Sequence, residues 1–336
     1  MPYEKVRWGI IGCGDVTEKK SGPAFQKVIN SELVAVMRRT GELARDYAER
    51  HQVPKWYDDA DDLINDPEVD AVYIATPPGS HKEYTLKAAA AGKSVYVEKP
   101  MARTFEECNQ MVAACKSAGV PLYVAYYRRA QERFLKIKEL LDQEAIGDVR
   151  FVSSAQYQKA GDDVKDPERL PWRVQPDAAG GGLFFDLASH TLDILDFLLG
   201  PIQEAKGFAS NQAGYYEAED IVTGTYRFAS GVQGIGKWCF TAFEHVDMNE
   251  IVGSKGKITF STFGDDPVTL TTNEGKEQWS FERPLHVHQP LVATIMKELT
   301  GGGVCCPSTG DSGARTNWVM DEIVGKERPL DELKFS

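Results

Sequence analysis

The feature that most constrains the fold is a short apolar run near the start of the chain that leads directly into a glycine-rich turn. Residues 6–11 (Val-Arg-Trp-Gly-Ile-Ile) predict a buried strand, and residues 12–17 (Gly-Cys-Gly-Asp-Val-Thr) nearly match the pattern G-x-G-x-x-G/A that follows such strands. The first glycine permits a tight turn, the second lets a pyrophosphate approach the backbone, and the next helix presents free N–H groups to phosphates. Thr17 departs from the third position, and a glycine turn that binds no ligand is the alternative.

Strands and helices then alternate as far as residue 126. The predicted elements are strands at 31–37, 70–75, 94–97 and 120–126, and helices at 41–50, 81–91 and 105–118. Thr104, with Glu107 three residues later, predicts a capping box at the start of the last helix. Repeated βα units with buried strands predict an α/β fold, a doubly wound parallel sheet that occupies residues 1–126.

The pattern changes in residues 127–336. A helix at 130–141 is followed by alternating strand-like runs at 149–157, 222–228, 232–239 and 257–260, separated by short glycine-containing turns. These runs predict a second, α+β domain with a large, mostly antiparallel sheet, and two helices at 287–299 and 311–324 close the chain. A length of 336 residues agrees with two domains.

Composition narrows the classes of partner. The formal net charge is −12 and no block of Lys and Arg stands out, which argues against nucleic acid and anionic membrane surfaces and favours small-molecule ligands. There is no signal-type apolar segment and no apolar stretch long enough to span a membrane, so we expect a cytoplasmic protein. The six cysteines are scattered, which predicts reduced thiols and no metal site.

Lys99 ends the apolar run 94–97 between Glu98 and Pro100. The last residues of a parallel strand lie at the edge of the sheet where ligands bind, so an ammonium group there requires a partner or a chemical role. The alternative is a lysine that leaves the strand end toward solvent and pairs with Glu98.

Asp186 and His190 are four residues apart, after three consecutive glycines at 180–182. On a helix this spacing places a carboxylate and an imidazole on one face, and a carboxylate beside a histidine orients the ring and raises its basicity, as a general base for an alcohol proton requires. The alternatives are an ordinary surface pair or a buried histidine with its hydrogen bonds satisfied. One Asp and one His are too few ligands for a metal site.

Four motifs in this order resemble the glucose-fructose oxidoreductase/inositol dehydrogenase (Gfo/Idh/MocA) family. They are Gly12-Cys13-Gly14, Thr76-Pro77-Pro78 with His81, Glu98-Lys99-Pro100, and the triple glycine followed by Asp186 and His190. The resemblance implies a Rossmann domain for NAD(P), a C-terminal substrate domain that often builds a homo-oligomer, either a dimer or a tetramer, and a sugar, cyclitol or related polyol as substrate. It also implies that the Lys99–Pro100 peptide bond is cis, as in some relatives.

The resemblance assigns roles to individual residues. Lys99, Asp186 and His190 match the catalytic residues: His190 would take the hydroxyl proton, Asp186 would orient it, and Lys99 would stabilise the alkoxide as a hydride leaves for nicotinamide. The implied cofactor-binding residues are Gly12, Cys13, Gly14, Asp15, Val16, Arg38, Arg39, Thr40, Thr76, Pro77, His81, Glu98 and Lys99. Tyr127, Trp172 and Arg173 are the implied substrate-binding residues, and Tyr127 is a departure from the family pattern, because many relatives carry Asn at this position.

The end of the second predicted strand bears on the choice of cofactor. An acidic residue there would bind the ribose 2′-hydroxyl of NAD, whereas this chain has Arg38, Arg39 and Thr40, which suit a 2′-phosphate. We therefore expect NADP in preference to NAD; the alternative is a set of solvated charges with Glu42 as a partner. Two rival functions remain open at this stage: an NAD-dependent glycoside hydrolase and a non-catalytic NAD(P)-sensing regulator.

Overall fold

The computed structural model describes residues 3–325, and its N-terminal part contains a six-stranded parallel sheet. The strands are β1 (Val6–Ile11), β2 (Ser31–Met37), β3 (Lys55–Tyr57), β4 (Ala71–Ile74), β5 (Ser94–Val97) and β6 (Leu122–Val124). The helices are α1 (Asp15–Lys19), α2 (Gly22–Lys27), α3 (Gly41–His51), α4 (Ala60–Asn65), α5 (His81–Ala90) and α6 (Phe105–Ala118). The strand order is β3-β2-β1-β4-β5-β6, so the direction of winding reverses between β1 and β4, where ligands bind in sheets of this kind.

A second sheet has eight strands, in the order β14-β13-β12-β11-β7-β10-β9-β8. The strands are β7 (Val149–Tyr157), β8 (Ile202–Ser210), β9 (Ile221–Phe228), β10 (Gln233–Cys239), β11 (Val246–Gly253), β12 (Gly256–Phe260), β13 (Val268–Thr272) and β14 (Gly275–Trp279). The helices of this half are α7 (Glu132–Asp142), α8 (Pro176–Ala179), α9 (Ser189–Leu199), α10 (Gln289–Leu299) and α11 (Gly310–Val324). β7 and β10 pair in parallel and the other neighbours are antiparallel, which confirms the predicted fold class.

Helices cover one face of the second sheet and leave the other open. α7, α9 and α11 bury their apolar side chains with those of the strands in one core that includes Phe134, Leu195 and Ile323. On the uncovered face, strand residues alternate with the buried ones, and large apolar side chains such as Phe208 and Ile235 are exposed.

The two C-terminal helices, whose existence the sequence predicts, pack against the body of the protein. α10 packs its buried Leu291 and Ile295 into the same core as Trp8 of β1, so the end of the chain completes the first sheet's helical layer. α11 lies against α6, α9 and β8 and therefore joins both halves.

The start of α6 only partly matches the predicted capping box. The Thr104 hydroxyl accepts a hydrogen bond from the Glu107 N–H at 3.2 Å, as expected of an N-cap. The Glu107 carboxylate, however, binds Arg103, accepting from both its backbone N–H and its guanidinium. A nearby cation therefore replaces the reciprocal half of the box.

Two structural features are absent from residues 3–325. No helix there is both long and apolar enough to cross a membrane. Within the same residues, no group of three or more His, Cys, Asp or Glu side chains is arranged to hold a metal ion.

Candidate active site

The glycine turn after β1 has the shape that an extended phosphate ligand requires. Gly12 has a φ of +90°, and a Cβ there would lie 2.7 Å from the Thr76 side chain, so only glycine fits. Gly14 is the N-cap of α1, and a Cβ built on it would meet only the Gly12 carbonyl oxygen, at 3.9 Å. The space beside Gly14 is therefore open to a ligand.

Thr17 explains why the third glycine of the pattern is dispensable here. It is fully buried, and its hydroxyl accepts from the Gly14 N–H at 2.9 Å and donates to the Gly14 carbonyl at 2.8 Å. The N–H groups of Gly12 and Cys13 donate to the Met37 carbonyl at 2.9 and 3.1 Å. Gly12, Cys13 and Gly14 thus shape the turn, and the first amides of α1, at Asp15 and Val16, are the helix N–H groups without an intrahelical acceptor.

The end of β2 lies beside this turn. Arg38, Arg39 and Thr40 are all exposed, and a guanidinium nitrogen of Arg38 lies 3.5 Å from the Cys13 carbonyl oxygen. The Cys13 side chain is buried, which raises the pKa of its thiol to about 11. Cys13 therefore contributes backbone and packing, while the two arginines present their charges at the rim.

Lys99 follows β5, and its peptide bond to Pro100 is cis, as the family resemblance implies. Its Nζ donates to a carboxylate oxygen of Asp186 at 2.6 Å and to the Asp186 carbonyl at 3.0 Å. Nε of Arg173 lies 3.2 Å from the other Asp186 carboxylate oxygen. Burial alone would raise the pKa of Asp186, but the charge and hydrogen bond of Lys99, with Arg173 beyond, leave it lowered.

The predicted pairing of Asp186 with His190 is wrong. Residues 184–188 form a π-helical turn before α9, so the spacing of four residues does not place the two side chains as one α-helix would. The Asp186 carboxylate serves Lys99 and Arg173 instead. Nδ1 of His190 is buried and has no hydrogen-bond partner among residues 3–325.

Aromatic rings surround His190. The ring centroids of Tyr126, Tyr127 and Phe263 lie 6.1, 5.4 and 5.6 Å from that of the imidazole. Burial, and then the positive charges of Arg128 and Lys99, lower the pKa of His190 well below 6.5. The imidazole is therefore neutral at physiological pH and able to accept a proton.

Two aromatic residues near His190, Phe263 and His288, were not predicted from the sequence. Phe263 lies in the connection between β12 and β13, whose three successive N–H groups, from residues 262 to 264, donate to the Asp247 carboxylate. The His288 ring centroid lies 4.7 Å from that of Tyr127, with the two rings tilted by 36°, and a His288 ring nitrogen lies 2.8 Å from the Tyr96 hydroxyl. Both residues reach the site through long-range packing, and no local motif marks either of them.

Two residues predicted to bind the cofactor are buried beneath the site. His81 is fully buried, with its ring nitrogens 2.7 Å from the Thr76 carbonyl and 3.1 Å from the Met101 carbonyl, so it holds the 76–78 turn and does not line the groove. Glu98 accepts from the Tyr73 hydroxyl at 2.6 Å, and burial raises the pKa of its carboxyl. Their contribution is to position Thr76 and Lys99, while Pro77 is exposed on the same turn.

The predicted substrate residues lie on two sides of Asp186 and His190. Tyr127 contacts the His190 ring, and Arg173 reaches Asp186 while its guanidinium covers the half-buried Trp172 ring at 4.6 Å. The result is a lysine held by a largely buried carboxylate, 12% exposed, beside a neutral imidazole and close to the glycine turn. Such an arrangement can hold an alcohol or carbonyl oxygen, remove or return its proton, and stabilise negative charge on it.

Two family models match the chain. An oxidoreductase family with an NAD-binding Rossmann fold matches residues 6–126, and the GFO/IDH/MocA C-terminal domain matches residues 134–259. Oxidoreductase P35 of Formosa agariphila is 42% identical over 323 residues, 96% of this chain and 99% of the relative. The 1,5-anhydro-D-fructose reductase of Ensifer adhaerens is 30% identical over 317 residues, 91% of this chain and 92% of the relative. Levoglucosan dehydrogenase in complex with NADH and levoglucosan is a solved structure with a TM-score of 0.82 and 25% identity, over 95% of this chain and 96% of that one.

Proposed function

The chain belongs to the Gfo/Idh/MocA family of oxidoreductases, and on that premise we propose that it transfers a hydride between NAD(P) and a secondary alcohol or ketone of a sugar, cyclitol or related polyol. The observation that carries the proposal is the Lys99–Asp186 pair at 2.6 Å, at the end of a strand of the nucleotide-binding sheet and beside His190. The named activities of the relatives, a sugar reductase and a sugar dehydrogenase, support the same class.

The residues of the glycine turn fit a dinucleotide. Gly14 leaves open the space that a Cβ would fill, and Gly12 permits the close turn. The cofactor would supply nicotinamide as the hydride acceptor or donor. Asp15, Val16, Arg38, Arg39, Thr40, Thr76 and Pro77 are the proposed residues around it.

In this mechanism Lys99, His190 and Asp186 have separate roles. The Lys99 ammonium donates a hydrogen bond to the reacting oxygen and stabilises alkoxide character. Neutral His190 takes the hydroxyl proton in oxidation and returns it in reduction. Asp186 acts through Lys99, whose ammonium it keeps charged and oriented, and not through the imidazole. Tyr127, Trp172 and Arg173 are the proposed substrate contacts.

We propose NADP as the preferred cofactor. The support is the pair of exposed guanidinium groups at the end of β2, where residues 38–40 offer no carboxylate to a ribose 2′-hydroxyl. The dissociation constants of NADPH and NADH, measured by fluorescence titration, test this preference. A constant for NADH equal to or smaller than that for NADPH contradicts it.

The same titration is the first step of an experiment that tests the proposed reaction. Purified protein is titrated with NADPH and NADH and then mixed with sugars, polyols and keto-sugars while nicotinamide absorbance is followed. Cofactor binding with turnover supports the proposal. Binding without turnover favours a regulator, and release of sugar without net redox change, with cofactor retained, favours a glycoside hydrolase. If neither NADPH nor NADH binds, the proposed dehydrogenase function is wrong.

We further propose a homo-oligomer assembled through the open face of the second sheet, in a cytoplasmic enzyme whose cysteines are all reduced. Phe208 on β8 and Ile235 on β10 are 84% and 53% exposed on that face, and apolar patches of this kind mark protein contacts. Light scattering on size-exclusion eluate should give a dimer or tetramer, and F208E/I235E should reduce its mass. A monomeric wild-type protein contradicts this assembly, and cell fractionation tests the location.

We assign residues 1–126 to the cofactor domain and 127–336 to the substrate domain, with α10 packing on the former.

A further inference from the structure

Arg128 is a buried cation whose hydrogen bonds are incomplete. It lies in the 3₁₀ turn after β6, is 6% exposed, and donates from Nε to the Thr262 carbonyl at 2.9 Å. One terminal nitrogen, Nη1, is buried with no hydrogen-bond partner within residues 3–325. An unpaired donor on a buried guanidinium is costly, so the position calls for an acceptor that arrives with a ligand.

The surroundings of Arg128 define where that acceptor would lie. The centre of the guanidinium is 5.0 Å from the Tyr127 ring and 4.5 Å from the Phe263 ring, so two aromatic side chains cover its faces. Both rings also contact His190. Stacking leaves the edge of the guanidinium, which carries its N–H groups, as the part that can bind a ligand next to the proposed base.

A cavity of about 710 Å³, large enough for a sugar, has Tyr127, Arg128 and Phe263 in its lining. Arg133 and Arg283 line it too, but Arg133 donates to the Gly264 and Asp266 carbonyls and Arg283 to the Phe263 carbonyl and Asp265. The acidic residues of its lining are Glu132, Asp265 and Glu282. Asp265 is bound to Arg283, and no hydrogen bond or ion pair in the described part of the chain joins an acidic side chain to Arg128.

Charge on the catalytic side favours an anion. Lys99, Arg173 and Lys20 act on the Asp186 carboxylate, and Glu98, whose carboxyl pKa is raised by burial, is the other acid beside Lys99. Three cations therefore face two carboxyl groups even before Arg128 is counted. This excess occurs in a chain with a net charge of −12, and is therefore local. A carboxylate accepts two parallel N–H bonds from a guanidinium edge and supplies the missing charge, whereas a neutral hydroxyl supplies neither.

We infer that Arg128 is a specificity-determining residue that binds a carboxylate of the substrate, so that the sugar is a sugar acid, of the uronate or aldonate class. This inference rests on the proposed dehydrogenase function and narrows its substrate. The carboxylate lies against the Nη edge of Arg128, and the reacting carbinol lies between Lys99 and His190.

Matched substrate pairs test the inference on the wild-type enzyme. The pairs are D-glucose with D-glucuronate, D-galactose with D-galacturonate, and D-sorbitol with D-gluconate, each with NADP⁺ and NAD⁺. The kcat/KM of an acid should exceed that of its neutral partner by at least about tenfold, the size of one modest charge-assisted hydrogen bond. Neutral sugars that are turned over as well as, or better than, every acid overturn the inference.

Substitution of Arg128 assigns the preference to this residue. R128Q can still donate to the Thr262 carbonyl, and it should lower kcat/KM for the acid by about 10- to 100-fold while the neutral partner changes much less. R128K retains the charge without the planar edge and should recover part of the preference. NADPH affinity and melting temperature establish that each variant is folded, and R45Q, which removes a charge at an exposed position of α3, is the matched control. An equal loss for acid and neutral sugar in a folded R128Q variant overturns the assignment.

Calorimetry separates this inference from the proposed function. If NADPH binds but no sugar is turned over, the dehydrogenase proposal fails, and D-glucuronate and D-galacturonate are titrated into the NADPH complex. Binding that R128Q abolishes supports the carboxylate site independently of turnover. Binding of neither acid overturns it.

Discussion

Two neighbouring arginines, Arg128 and Arg129, have opposite surroundings. Arg129 is 4% exposed and belongs to a closed ion cluster with Asp193, Asp196 and Arg315. Its Nε and Nη2 bind the Asp193 carboxylate at 2.9 and 2.7 Å, and its Nη1 donates to the Pro307 carbonyl at 3.0 Å. Arg128, one residue earlier, has one acceptor within residues 3–325 and a buried nitrogen with no partner there.

The difference shows how one segment serves both fold and site. α9 contributes Asp193 and Asp196 to the closed cluster and His190, one turn earlier, to the candidate active site. In the closed cluster each charge has a partner, so the cluster can hold α9, α11 and the turn after β6 together. In the candidate site, Arg128 and His190 have nitrogen atoms without a partner in the described part of the chain, and these atoms remain available to a further molecule.

The largest expected effect comes from removing the central charge of the candidate site. K99M should lower kcat by about 10³- to 10⁴-fold because it removes the group that stabilises charge on the reacting oxygen. The free energy of unfolding should change less than in a variant of the closed cluster, since Arg173 still faces Asp186. Steady-state rates and urea denaturation measure the two effects, with K116M, at an exposed position of α6, as control. Full activity of K99M would remove Lys99 from the mechanism.

The closed cluster should show the reverse behaviour. R129M leaves Asp193 without its main partner, and we expect the free energy of unfolding to fall by about 3–5 kcal/mol. R315Q should cost less, because Arg315 is 31% exposed and Arg129 remains beside Asp196. Urea denaturation ranks the two variants. Equal stability of R129M and the wild-type protein would refute the view that this cluster holds the fold.

The sequence predicted those elements whose apolar run ends at a clear turn signal. β2, β5 and β7 begin and end at the predicted residues. β3, β8, β11, β13 and β14 were missed because their residues are polar or half-exposed and owe their conformation to strand pairing; four of the five residues of β14 are exposed. The strand predicted at 120–126 is only three residues long, since the chain turns after Val124.

The sequence predicted which residues form the candidate site, but it did not predict which of them contact each other. Lys99, Asp186 and His190 come together, because strand ends and glycine turns are local signals that sequence patterns report. The carboxylate–imidazole pair failed because spacing assumes a regular α-helix, and a π-helical turn intervenes. Phe263 and His288 come from distant parts of the chain, and such long-range contacts produce no periodic pattern in the sequence.

The two regions should also respond differently to acid, because only the candidate site contains buried neutral histidines. Burial, and then the charges of Lys20, Lys99 and Arg128, lower the pKa of His288 to about 3. The unfolded state, with a histidine pKa of about 6.5, binds more protons between these values, so stability is lost as pH falls from about 6.5 toward 3.

Each such histidine contributes a slope of at most about 1.4 kcal/mol per pH unit to the free energy of unfolding. H288Q retains a partner for the Tyr96 hydroxyl and should reduce the slope between pH 6.5 and 5 by up to that amount. Urea denaturation at several pH values measures it, with H245Q at an exposed position as control. An unchanged slope in H288Q would place the acid sensitivity elsewhere.

The smallest expected effect concerns arginines that are exposed rather than buried. Arg39, at the end of β2, is open to solvent, so its charge is screened and it adds to binding only if a ligand phosphate comes close. R39Q should weaken NADPH binding by about five- to tenfold and NADH binding by less than about twofold, because only NADPH carries a 2′-phosphate for the guanidinium. Fluorescence titration at low and at high salt measures both constants, and the loss for NADPH should shrink as salt increases. An equal loss of affinity for both nucleotides would show that Arg39 stacks on adenine instead. The exposed arginine would then contribute to binding through ring contact and not through its charge.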